Sequence, residues 1–95
     1  MAEAQPGTAA FAVERAWRLN PQVALRDESF GALAYHYGNR RLVFLKSRQL
    51  VDLVSALEVY PSAAEALAAV VPEGRRHAYT RALARLAASE VIDVR

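Results

Sequence analysis

Apolar and polar residues alternate through the middle of the chain, and then the period changes. Val23 and Leu25 alternate with Ala24 and Arg26, the two-residue period of a short strand, and Asp27-Glu28-Ser29 reads as a turn. Gly31 to Tyr37 places Leu33, Tyr35 and Tyr37 on one face and Ala32, Ala34 and His36 on the other. Gly38-Asn39 is a two-residue turn signal, with Gly38 expected to take the positive φ of a type II′ turn. Setting Tyr37 opposite Arg40 pairs Tyr35 with Leu42 and Leu33 with Phe44. One face then collects Leu33, Tyr35, Leu42 and Phe44; the other collects Ala32, Ala34, Val43 and Leu45. Both faces are apolar. Helices are expected over one of them, leaving room for something else over part of the other.

After Lys46 the pattern turns helical. Ser47 is an N-cap candidate, and Leu50, Leu53, Val54 and Leu57 follow at i, i+3, i+4, i+7 until Pro61. Ser62 and Glu65 form a capping box opening a second helix with Ala66, Leu67 and Val70 inward. Pro72 closes that helix and begins a third reaching about Ser89, with Tyr79, Ala82, Leu83 and Leu86 inward. The tail Val91 to Val94 suits either a strand or packed coil. Upstream, Phe11 to Trp17 suits a helical turn or an extended arm, with Trp17 as a core or lid residue. Strands followed by helices predict an α+β domain, winged-helix-like, with a three-stranded antiparallel sheet followed by three helices. The segment 1–12, small, polar and broken by Pro6 and Gly7, is expected to be a disordered tail, and 13–95 a single domain.

Ninety-five residues suffice for one domain that buries roughly 60–65% of its unfolded surface. The chain has no cysteine, which excludes disulfides, thiolate catalysis and cysteine-bound zinc or iron–sulfur centres. No apolar run approaches the ~20 residues that span a bilayer, and the first residues do not resemble a secretory signal. A cytoplasmic location with no membrane partner is the resulting expectation. The four glycines (7, 31, 38 and 74) are scattered, so no phosphate-cradling loop is present. His36 and His77 have no ligand spacing around them, and no serine sits in a nucleophile motif. No enzyme activity, cofactor or metal is expected.

Binding features are better supported. Arg40 and Arg41 stand at the hairpin tip, Arg81 and Arg85 lie four apart on the third helix, and Arg75 and Arg76 precede them. Such arginines either form a solvated face or receive an acidic segment. With a net charge of only +2 they fall short of a concentrated nucleic-acid footprint. An edge strand beside a helix offers a further mode, in which an extended peptide pairs with the strand's free backbone groups. The alternative is that the protein covers its own edge.

The stretch Ala16 to Val54, AWRLNPQVALRDESFGALAYHYGNRRLVFLKSRQLVDLV, resembles the mycofactocin biosynthesis chaperone (MftB) family, small relatives of the pyrroloquinoline quinone peptide chaperone. The cues are the WRL-PQV start, FGAL-YHYG with its basic hairpin tip, and L-FLK before the first helix. The resemblance implies a domain whose third strand and third helix clasp the leader of a short precursor peptide. It further implies that the peptide is presented to a radical S-adenosylmethionine maturase, with the iron–sulfur chemistry belonging to that partner. The family's leader is rather acidic, which suits the arginines. Carried onto this chain, the strand is Arg41 to Leu45 and the helix roughly Arg75 to Leu86. Leu42, Val43, Phe44 and Leu45 are the expected backbone platform, with Arg41 also in the peptide-binding set. Tyr79, Ala82 and Leu83 are the expected apolar groove wall, with Leu83 leaning toward the core. Arg81 and Arg85 are expected to meet acidic side chains, and Arg75, where the helix begins, completes the peptide-binding set. Val43→Pro is expected to remove the edge's ladder bonding. Two other readings fit the same residues: a winged-helix DNA-binding domain, and a structural subunit that homodimerises through the open edge.

Overall fold

A computed structural model describes residues 11–95 of the chain. The tail expected over 1–12 therefore lies, for its first ten residues, outside the described residues. Five strands and three α-helices follow: β1 (Trp17–Leu19), β2 (Val23–Glu28), β3 (Gly31–His36), β4 (Leu42–Leu45), α1 (Arg48–Ala56), α2 (Ala63–Val70), α3 (Arg76–Ala88) and β5 (Ile92–Val94). Single 3₁₀ turns, Leu57–Val59 and Glu73–Arg75, lead out of α1 and into α3.

The sheet β2-β3-β4 is antiparallel, and its register pairs Tyr35 with Leu42 and Leu33 with Phe44, as the alternation predicts. Its inward face carries Ala32, Ala34 and Leu45, all fully buried under the helices. Alanine at two of these positions lets α1 approach the sheet closely, bringing Val51, Leu53 and Val54 into the same core. Ser47 caps α1, its hydroxyl accepting from the Leu50 amide at 3.0 Å, and Ser62 caps α2 through the Glu65 amide at 3.2 Å. Arg76 is absorbed structurally, donating to the carbonyls of Val71 and Ala68 where α2 ends.

The β3–β4 connection differs from the expected two-residue turn. It is a four-residue loop, Tyr37 to Arg40, closed by the His36 amide donating to the Arg41 carbonyl at 2.9 Å. The positive φ falls on Arg40 (65°), not on Gly38. The cause is His36, which is buried and whose Nδ1 accepts from the amides of both Gly38 and Asn39 at 3.0 and 3.1 Å. This imidazole holds the loop from inside. Gly38 is needed for close approach instead, since a Cβ there would lie 2.8 Å from the ring.

A second, two-stranded sheet joins the beginning of the domain to its end. β1 pairs with β5, setting Trp17 opposite Val94 and Leu19 opposite Ile92, with an Arg18–Asp93 ion pair at 3.0 Å between them. The tail is thus a strand, and Trp17 is a core residue. Its indole N–H donates to the Ala12 carbonyl, and Phe11 packs on its ring at 4.9 Å.

Candidate functional site

Among the described residues, β4 pairs with β3 alone, so its other flank is vacant. Which groups occupy that flank follows from the ladder. The His36–Arg41 bond fixes the alternation, so Val43 and Leu45 turn their amides and carbonyls toward β3. Leu42 and Phe44 turn theirs outward. The open edge thus offers two donors and two acceptors, from two residues only. Proline at Val43 would break the β3–β4 hairpin rather than the edge, contrary to the expectation from sequence; the edge donors are the amides of Leu42 and Phe44. The sheet's other outer strand, β2, is guarded differently. Asp27 there meets Arg48 at 3.5 Å, placing charge on a flank where it discourages strand pairing.

Beside the open edge runs a cleft between β4 and α3. Its volume is ≈ 240 Å³, and Val43, Phe44, Leu50, Ala82, Arg85, Leu86 and Ser89 line it. Ser89 is shared with a polar depression at the hairpin tip, where Asn39, Arg41 and Glu90 face Ala88. At the opposite end of β4, the Tyr79 hydroxyl lies 2.9 Å from Ser47 Oγ. Strand and helix therefore run antiparallel along the cleft, from Arg41 against Ser89 to Ser47 against Tyr79. The lining of α3 is one stripe: Ala82, Leu86 and Ser89 at i, i+4 and i+7, with Arg85 at its rim.

The residues singled out from sequence separate accordingly. Val43, Phe44, Ala82 and Arg85 line the cleft, Arg41 stands at its polar end, and Leu42 belongs to the edge and the outer face. Leu45 and Leu83 are fully buried core residues. Tyr79 ties α3 to the end of β4 rather than lining the cleft. Arg75 and Arg81 are exposed outside the lining. Leu50, Leu86 and Ser89 line the cleft and were missing from that set. The i, i+4, i+7 stripe from Ala82 would have reached Leu86 and Ser89, whereas Leu50 enters only through the angle at which α1 meets the sheet. Among the described residues, Arg41, Arg81 and Arg85 make no ion pair.

Residues 16–93 match the family model described as the peptide chaperone MftB family. The chain belongs to that family. Among curated proteins, the peptide chaperone MftB of Mycobacterium ulcerans (strain Agy99) is 44% identical over 92 residues, covering 96% of this chain and 84% of that protein. The peptide chaperone MftB of Mycobacterium tuberculosis (strain ATCC 25618 / H37Rv) is 45% identical over 83 residues, covering 86% and 76%. That of Mycolicibacterium smegmatis (strain ATCC 700084 / mc(2)155) has the same identity over the same length. No solved structure matches the chain significantly. The MftB relatives are named for a chaperone role rather than for catalysis. Among the described residues no cluster of His, Asp and Glu could hold a metal, and no helix is long and apolar enough to cross a membrane.

Proposed function

We propose that this chain is a mycofactocin peptide chaperone that takes the leader of the precursor peptide as an added strand on β4 and presents it to a radical S-adenosylmethionine maturase. The observation that carries the reading is the flank of β4 that no described residue pairs with, beside a cleft lined from α3. Four outward backbone groups, at roughly 0.5–1.5 kcal/mol net per bond, supply sequence-independent affinity. Side chains of the leader that point inward meet Val43, Leu50, Ala82 and Leu86, an apolar floor, with Arg85 and Arg41 placed for carboxylates. Selection comes from this alternation: every second leader residue enters the cleft.

Phe44→Pro is the direct test. Its ring replaces an amide that faces the open flank, a position where an edge strand tolerates proline, so the domain stays folded. Leader binding measured by calorimetry is expected to weaken about tenfold or more, the combined effect of one lost donor and the ring's bulk against the incoming strand. Undiminished binding by the folded variant would overturn strand addition at β4.

A further inference from the structure

The sheet has a second apolar surface, on the side away from the helices. Leu33 and Tyr35 of β3 and Leu42 and Phe44 of β4 project there, joined by Phe30 and Tyr37 from the flanking loops. Phe30 stacks on Phe44 with ring centroids 5.7 Å apart, and Tyr37 meets Tyr35 edge to face at 4.9 Å. Four of these side chains remain 42–63% exposed: Phe30, Tyr37, Leu42 and Phe44. A shallow depression of ≈ 310 Å³ lies between Leu33, Tyr35, Leu42 and the β2 residues Ala24 and Arg26. Nothing in the core requires aromatic rings at Phe30 and Tyr37. Solvent penalises them.

We propose that this outer face is a docking surface for the maturase, separate from the cleft that takes the leader; the inference rests on the chaperone reading above. Three observations select that occupant. The exposed side chains present on the order of 450 Å² of surface, taking 150–250 Å² for each large side chain. That matches the contiguous patches of functional monomers but is well under the roughly 800 Å² per partner of a stable dimer, so it suits a transient partner over a second copy. The fringe of the face is cationic. Arg40 and Lys46 flank β4 and make no ion pair among the described residues, while Arg26 is held by Glu28 at 2.9 Å. A second copy would bring these cations against its own, whereas a partner with an apolar patch ringed by carboxylates complements them. Finally, the face is continuous with the proposed peptide edge. A leader paired to Leu42 and Phe44 sends its alternate side chains onto the same surface, so a protein docked there touches chaperone and peptide together.

Phe30→Ser and Tyr37→Ser change the face at residues that belong to neither the edge nor the cleft lining. Tyr37 packs on Tyr35, away from β4's open flank, and Phe30 meets the edge strand through the Phe44 ring alone, leaving the edge-facing backbone groups in place. Each variant, and the full wild-type chain, is titrated separately with the leader peptide and with the purified maturase, and sized by light scattering. The expected result is leader binding within twofold of wild type and maturase association at least tenfold weaker. In parallel, adding the maturase to labelled wild-type protein is expected to shift the amides of Leu33, Tyr35 and Tyr37, a readout independent of how the variants fold. Unchanged maturase association, or shifts confined to other surfaces, overturns the assignment. Loss of leader binding in the serine variants overturns it too, because the face would then be part of the peptide site. A wild-type dimer that the variants dissolve makes the second copy the occupant and overturns it likewise. Wild-type protein that takes up the maturase but no leader sinks the chaperone reading instead, which keeps the two failures apart.

Discussion

Gly31 opens β3 with φ at +150°, and a Cβ built on it would lie 2.1 Å from the Leu45 carbonyl oxygen and 2.9 Å from the Ser47 amide. Both neighbours are backbone, so nothing flexible can give way. Gly31→Ala is expected to force β3 from the end of β4 and cost roughly 2–4 kcal/mol, read as a large fall in thermal midpoint. Local patterning marks Gly31 as the start of a strand, but the clash belongs to the Leu45–Ser47 corner, fourteen residues on. The same separation between pattern and cause holds for the hairpin. Its register was readable from alternation alone. Its loop type was not, because a buried imidazole accepting two amides leaves no trace in local composition.

At the scale of elements, the working parts are β4 and α3 held side by side. Ser47 serves both: its hydroxyl caps α1 and meets Tyr79 of α3. Ser47→Ala is expected to lower stability by about 1–2 kcal/mol and to loosen α3 along the cleft, seen as faster amide exchange near Tyr79. The arginines of α3 are expected to behave unequally. Arg85→Glu, at the cleft rim, weakens leader binding by about 1 kcal/mol, roughly fivefold, and flattens its salt dependence. Arg81→Glu, outside the lining, changes binding less than twofold; equal effects from the two would move the leader off the cleft. Helical periodicity showed that Ala82, Leu83 and Leu86 share a side of α3. It could not show that Leu83 lies wholly in the core while Leu86, also buried, and Ala82 reach the cleft, since that depends on the angle between helix and sheet. Strand parity was equally hidden: four residues of β4 read alike in sequence, yet only Leu42 and Phe44 have edge-facing amides.

For the molecule as a whole, the pairing of β1 with β5 closes the domain. Two three-residue strands more than seventy residues apart carry no local signal, which is why the tail could be read as strand or coil. Closure is reinforced by Arg95, whose guanidinium donates to the carbonyls of Glu58 and Tyr60. Ile92 is fully buried at this seam, so Ile92→Ala is expected to cost about 2–5 kcal/mol in chemical denaturation, with the leader's affinity for the remaining folded fraction unchanged. The seam also houses the chain's single tryptophan, Trp17, which borders neither the cleft nor the outer aromatic face. Its near-ultraviolet emission is therefore a clean gauge of unfolding, silent to guests at β4, and a fluorescent label on the guest rather than the host is the way to watch capture in real time.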